Sequence, residues 1–256
     1  MAWSAEQYVR FEDERTRPVR DLIARIPQIE ARTAVDLGCG PGNSTELLAE
    51  RFPGATVIAI DDSANMLEAA RKRLPDTRFE LEDIAAWSRG ECRVDVILAN
   101  ASIHWLPDHD VLVPALLRRL APGGALAVQI PHNLYEPAHR HMRDVAMQAR
   151  WVDRLGAVAR PPDGQYEPDL YYDVLRGAGA EVDIWKTIYH HVMPDVAAVV
   201  EWFKGSALPP FLAPLSEVER ADFLAIYKDA ITPDYPTRAD GTVLLPFPRL
   251  FFVATV

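Results

Sequence analysis

Cysteine is almost missing: the 256 residues hold two, Cys39 and Cys92. That excludes a disulfide framework and a cysteine-ligated zinc site, and no metal is expected. Basic residues are also in short supply, 27 against 37 acidic ones, for a formal charge of −10. A general nucleic-acid binder carries a basic face and a polybasic membrane anchor a basic cluster, so neither partner is expected. No apolar run approaches the roughly 18 residues of a membrane span. The first residues, Met1-Ala2-Trp3-Ser4-Ala5-Glu6, lack the basic and apolar regions of a signal peptide, so the chain reads as cytoplasmic. It shows no fixed-period repeat. No extended apolar face stands out, which makes a monomer the default.

What is present is ordinary globular composition, 49% apolar and 25% charged. A chain this long buries roughly three quarters of its unfolded surface. One domain over residues 1–256 is expected. It has a helical lead-in over 1–30, a core over about 30–192 and 243–256, and an inserted helical cap over about 193–242.

The pattern is strand, helix, strand, helix. In the lead-in, Pro18 suits a first helical turn, and Val19, Leu22, Ile23 and Ile26 form one apolar face before Pro27. Strand-like runs cover 33–37, 56–60, 77–81, 94–99 and 125–130. Between them, Asn43 with Glu46 reads as a capping box, and Ser63 caps a helix whose buried face is Met66, Leu67, Ala70 and Leu74. Leu112, Leu116 and Leu120 mark a further helix. Such alternation predicts a parallel sheet with helices on both faces. Beyond residue 131 come a helix over 135–151, a loop at Pro161-Pro162-Asp163-Gly164, a helix over 169–176, a strand over 181–192 and a last strand over 250–256. The last two strands are separated by about fifty residues, whereas hairpin loops take roughly two to five. The surplus, with helix patterns at 196–203 and 217–227, is read as a cap over the carboxyl edge of the sheet.

The chemistry centres on Val35-Asp36-Leu37-Gly38-Cys39-Gly40-Pro41-Gly42-Asn43. Glycines at a strand-to-helix turn let backbone approach a ligand closely. Asp61 closes the second strand nineteen residues after Gly42, where a carboxylate accepts both hydroxyls of a ribose. A nicotinamide site takes Gly-x-Gly-x-x-Gly with a pyrophosphate at the helix start, and here the third glycine is displaced. A phosphate loop of the ATPase type needs a lysine that is absent. Asp36 beside the loop disfavours phosphate and favours an ammonium or sulfonium group. These features point to a nucleoside with a cationic tail, and S-adenosylmethionine is such a molecule.

Asp36 to Gly42 resembles the first motif of class I S-adenosylmethionine-dependent methyltransferases. The resemblance spans 33–130 and implies a Rossmann-like α/β fold with a seven-stranded, mostly parallel sheet and an antiparallel last strand. It also implies cofactor contacts from Asp36, Gly38, Gly40, Asp61, Asp83 with Ile84, and Asn100: Asp61 for the ribose, Asp83 for the adenine, Asn100 after the fourth strand. Other segments resemble the trans-aconitate 2-methyltransferase family over nearly the whole chain: Asn100-Ala101-Ser102, Trp105 to His109, Leu126 to Gln129, Tyr171-Tyr172-Asp173, Glu181 to Trp185 and Phe247 to Phe251. His104 stands where that family often has an uncharged polar residue such as Gln. The resemblance implies methyl transfer to one carboxylate of a tricarboxylate.

Such a carboxylate is already ionised at pH 7, so no general base is required. Catalysis then rests on alignment and water exclusion, with His104 and Trp105 as positioning residues. A trianion needs cations, arginine above all. The acceptor candidates are Arg15, Arg17, His104, Trp105, His132 and Arg249; each also has a plain structural reading as a rim, packing or ion-paired residue. His190 and His191 point to opposite faces of a strand, which makes a poor metal site, and Cys39 reads as packing. The competing functions are another small-molecule or carrier-protein carboxylate O-methyltransferase and a non-enzymatic S-adenosylmethionine-binding regulatory module.

Overall fold

The computed structural model describes residues 12–160 and 167–256; the loop expected at 161–164 lies outside them. Seven strands form one sheet in the order β3-β2-β1-β4-β5-β7-β6. They are β1 Thr33–Leu37, β2 Thr56–Asp61, β3 Arg78–Leu81, β4 Val94–Asn100, β5 Leu120–Pro131, β6 Glu181–Met193 and β7 Val243–Thr255. The first five pair in parallel, and β7 runs antiparallel to β5. The helices are α1 Glu12–Ala24, α2 Asn43–Arg51, α3 Ala64–Arg73, α4 Ile84–Ser88, α5 His109–Arg118, α6 Pro137–Ala146, α7 Val152–Ala159, α8 Pro168–Gly177, α9 Val196–Lys204, α10 Pro209–Leu212 and α11 Glu217–Ile231. None of the described helices is long and apolar enough to cross a membrane.

The chain divides into two compact units. One holds the chain to Pro131 with Tyr166–Thr187 and Arg249–Val256. Its parallel strands are buried on both faces, so they read as near-continuous apolar runs. Val35, Leu37, Ile97, Ala99, Val128, Leu250 and Phe252 join Leu112 and Leu116 of α5 and Tyr171 and Leu175 of α8 in one core cluster. On the other face α1 packs against α2 and β5. Val19, Leu22, Ile23 and Ile26 are all buried there. Each such side chain removed from water contributes about 1.5–3 kcal/mol before entropic costs.

The second unit holds His132–Gln165 and Ile188–Pro248. Within it α6 packs against α7 and α11, and α9 packs against α11. The insertion expected at 193–242 falls inside this unit, which begins earlier in the chain. His191 is buried and stacked on Trp202 at 4.7 Å, while His190 is exposed.

Several local expectations are corrected. Helix α1 begins before Pro18, so that proline is internal and forfeits one helical hydrogen bond. Asn43 is the first residue of α2; the cap is Gly42 at φ 93, with no side-chain cap bond. Glu46 pairs instead with Arg73 at 3.1 Å. Leu120 opens β5 rather than continuing α5. The helix expected over 135–151 is shorter, Pro137–Ala146; a turn follows it, and α7 starts at Val152, beyond the expected end. Strand β7 is continuous through Pro246 and Pro248. Its pairing with β5 starts only at Arg249, so neither proline has to donate to that ladder.

Candidate functional site

The register of the sheet puts the key polar residues on one face. Asp36 of β1 lies opposite Ala59 of β2, two residues before Asp61. It also lies opposite Leu98 of β4, two residues before Asn100. Asn100 pairs with Gln129 of β5, and Gln129 with Phe251 of β7, two residues after Arg249. Side chains alternate with period two, so Asp36, Asp61, Asn100, Gln129 and Arg249 share a side. All sit toward the carboxyl ends of the parallel strands, where open α/β sheets bind ligands.

At β1 the chain leaves through Gly38 and Gly40. Gly38 has φ 74, and a β-carbon there would meet Ser102 Cβ at 2.3 Å and Ile84 Cδ1 at 3.5 Å. Gly40 has φ 55 with open space where a side chain would stand. The turn is fastened to β2: the Gly38 and Cys39 N–H groups donate to the Ile60 carbonyl at 2.7 and 3.0 Å.

Asp61 carries the turn on its own carboxylate. Its Oδ2 accepts from the Gly40 N–H at 2.9 Å and its Oδ1 from the Ser63 N–H at 2.9 Å. Burial raises its pKa, and those two N–H donors oppose the rise. Each oxygen keeps a second lone pair, which suits a vicinal diol.

Asp36 is wholly buried at the end of β1. Its Oδ2 accepts from the Ser44 and Thr45 hydroxyls, both at 2.7 Å, which ties the end of β1 to the first turn of α2. Burial pushes its pKa up to about 6, against the lowering effect of the two hydroxyls. Ser44 and Thr45 were missed from the sequence; a hydroxyl pair eight and nine residues after a strand-end carboxylate was the available signal.

Asp83 caps α4, accepting the Ala86 N–H at 2.8 Å, and is exposed. Ile84 is half-buried against the core. Asn100 closes β4 rather than following it. Ala101, the next residue, has φ 50, a left-handed conformation uncommon outside glycine. Its N–H donates to the Gln129 carbonyl at 2.8 Å. That turn feeds a short 3₁₀ segment, Ile103–Trp105. His109 holds the segment: its Nε2 lies 2.8 Å from the Ile103 carbonyl and its Nδ1 2.6 Å from the Tyr171 hydroxyl. A carbonyl only accepts, so Nε2 carries the proton and Nδ1 accepts from Tyr171.

His104 is half-buried and Trp105 is 57% exposed, their ring centroids 4.5 Å apart. Burial, then the positive Arg249, pushes the His104 pKa down to about 3. Its ring is thus neutral at pH 7. Arg249 is itself buried, and its Nη1 donates to Gln129 Oε1 at 2.9 Å. The sequence reading had Gln129 only inside a matching segment, not as a site residue.

The remaining acceptor candidates are Arg15, Arg17 and His132. Arg17 is exposed on α1, and the Arg15 side chain lies outside the described residues. His132 belongs to the second unit, where its backbone N–H donates to the Pro248 carbonyl at 2.9 Å. Cys39 is buried with Ala59, Leu67 and Phe79, and burial raises its thiol pKa, as packing rather than nucleophilic use requires.

A methyltransferase-domain family model matches residues 34–124. Among solved structures, the fold is similar to the YcgJ protein of Bacillus subtilis (TM-score 0.59, 12% identity, 93% of this chain and 97% of that one). It is also similar to phosphoethanolamine N-methyltransferase 2 of Haemonchus contortus (TM-score 0.55, 16% identity, 93% of this chain and 52% of that one). The sequence is 54% identical to the trans-aconitate 2-methyltransferase of Methylobacterium radiotolerans, over 98% of this chain and 97% of the relative. It is 51% identical to that of Variovorax paradoxus over 98% and 97%. Likeness of this degree runs through the methyltransferase core and through the helical segments outside it, and by it the chain belongs to the trans-aconitate 2-methyltransferase family.

Proposed function

We propose that the protein transfers a methyl group from S-adenosylmethionine to one carboxylate of trans-aconitate, giving the monomethyl ester and S-adenosylhomocysteine. The observation that carries this reading is the polarity of one sheet face. Carboxylates of β1 and β2 stand at one end of the row and the Arg249 guanidinium of β7 at the other. Strands are about 4.8 Å apart, so β1 and β7 are separated by about 14 Å, room for a cofactor and a small acid end to end.

The residues fit such a cofactor. Gly40 leaves space for close approach, Asp61 has spare lone pairs for a ribose, and Asp83 is exposed after β3 for an adenine edge. When bound, S-adenosylmethionine supplies an electrophilic methyl on a positive sulfur. The chain's own part is to hold and align. Asp36 and Asp61 fix the loop, Ala101 turns the chain at the end of β4, and Arg249 with His104 faces the acid. The acid attacks as an ionised carboxylate, so the chain removes no proton. Positioning supplies about 7–11 kcal/mol of the barrier in well-oriented reactions.

The test is label transfer. Purified protein with labelled S-adenosylmethionine is given trans-aconitate, cis-aconitate, isocitrate and a malonyl-carrier protein. Label moving to trans-aconitate far faster than to the others supports the reading. Transfer only to the carrier protein, or to none, overturns it.

A further inference from the structure

Two buried carboxylates stand side by side with no cation between them. Asp36 is fully buried and Asp61 nearly so. They lie on the neighbouring parallel strands β1 and β2, on the same side of the sheet. The partners of both are neutral: the Ser44 and Thr45 hydroxyls for Asp36, the Gly40 and Ser63 N–H groups for Asp61. The charges that bear on them are negative, Asp61 on Asp36 and Asp62 on Asp61. No lysine, arginine or histidine among the described residues forms an ion pair with either. A buried carboxylate is ordinarily matched by a cation, and hydroxyl or N–H dipoles hold its charge without cancelling it. Asp36 is shut off from solvent, so it acts on a ligand through its field and not by contact. Such a field is screened far less in the interior than in water.

We propose that Asp36 makes the cofactor site select by charge: with Asp61 it favours the sulfonium of the methyl donor over the neutral thioether of the spent product, so that methyl transfer itself loosens the product. A ribose held by Asp61 fixes the sulfur one carbon beyond the sugar ring, close enough to feel both carboxylates. S-adenosylmethionine and S-adenosylhomocysteine share adenine, ribose, ammonium and carboxylate. They differ by one methyl and one positive charge. Transfer forms the O–C bond from a carboxylate lone pair of the acid and leaves the S–C electron pair on sulfur. The donor's positive charge and one negative charge of the acid vanish together, and the attraction to Asp36 goes with them.

This inference rests on the donor half of the function proposed above and not on the identity of the acid, so the test uses no acid. S-adenosylmethionine and S-adenosylhomocysteine are each titrated calorimetrically into the natural chain and into Asp36→Asn at pH 7. Asparagine keeps the size and one acceptor oxygen for the two hydroxyls and removes the charge. The ratio of donor to product affinity is expected to fall roughly threefold or more in the variant, with S-adenosylhomocysteine affinity within about twofold of the natural chain. The titrations are repeated at pH 5.5. The titratable groups facing Asp36 are Asp61 of β2 and Cys39 of the loop, while Ser44 and Thr45 of α2 and Leu98 of β4 carry no charge. Burial raises the pKa of both aspartates, so lower pH neutralises them. The ammonium common to both ligands stays largely protonated over this range. The natural ratio should therefore fall on acidification, and by less in Asp36→Asn. A merely structural Asp36 weakens both ligands alike. An unchanged ratio in Asp36→Asn overturns the proposal. If that variant does not fold, a ratio in the natural chain that ignores pH overturns it. If the natural chain binds neither ligand, the donor reading falls and this proposal with it.

Discussion

A β-carbon on Gly38 would stand 2.3 Å from Ser102 Cβ, so the loop after β1 and the turn after β4 touch through the one position that lacks a side chain. Gly38→Ala has to move one of the two, and it also carries a positive φ costing about 1–2 kcal/mol. The expected result is S-adenosylhomocysteine affinity down roughly tenfold or more by calorimetry. Adding Ser102→Gly removes the collision but not the dihedral cost, so the double variant should recover only part of the loss. Full affinity in Gly38→Ala would show that the loop does not seat the cofactor.

Asp61 accepts two backbone N–H groups and is proposed to accept a ribose as well. Asp61→Asn keeps the size but turns an NH₂ toward an N–H donor. Cofactor affinity is expected to fall by about 1–3 kcal/mol, nearly as far as in Asp61→Ala. An asparagine variant that binds like the natural chain would remove Asp61 from the ribose site.

Asp36 gives a pH signature. Its pKa rises on folding from an ordinary 3.8 to about 6, so between those values the folded state holds more of the proton. Stability from this group therefore falls as pH rises through that window. Urea midpoints between pH 4 and 7 should show the natural chain gaining on Asp36→Asn as pH is lowered. A constant difference across the range would rule out the buried, raised carboxyl.

His109 and Tyr171 carry no chemistry but hold the 3₁₀ segment that presents His104. Tyr171→Phe removes one hydrogen bond and is expected to cost about 1 kcal/mol in chemical denaturation. His109→Phe removes both the bond to the Ile103 carbonyl and the bond from the Tyr171 hydroxyl, and should cost more. The loss should appear in the Michaelis constant for the acid, with cofactor affinity little changed. If both variants melt like the natural chain, the bridge is not what anchors the segment.

Much of this was legible in the chain. Period and turn residues carry β1 to β5 and their helices, because parallel strands buried on both faces are written as apolar runs bounded by glycine and proline. The place of Asp61 at the end of β2 was legible from the apolar run before it, while its bonds from the Gly40 and Ser63 N–H groups were not. Asp36 was read as facing a cation, and its burial under Ser44 and Thr45 was not visible, since hydroxyls that fold back onto a strand leave no periodic mark. Gln129 was missed for a related reason. A polar residue in an apolar strand announces burial, but its partner Arg249 lies 120 positions away and meets it only through antiparallel pairing. The early end of the helix expected over 135–151 goes with a tertiary fit, Trp151 in the turn after it being buried edge-on to Phe223.

The shared face of Asp36, Asp61, Asn100, Gln129 and Arg249 rests on parity alone. Removing one residue from β7 beyond Arg249 would carry that guanidinium through the sheet to the opposite side, with composition otherwise intact. Insertions in the stretch between β6 and β7 have no such effect. Among relatives, then, gaps should gather between those strands and be purged from 249–255, and length rather than residue identity becomes the property of β7 under the tightest selection.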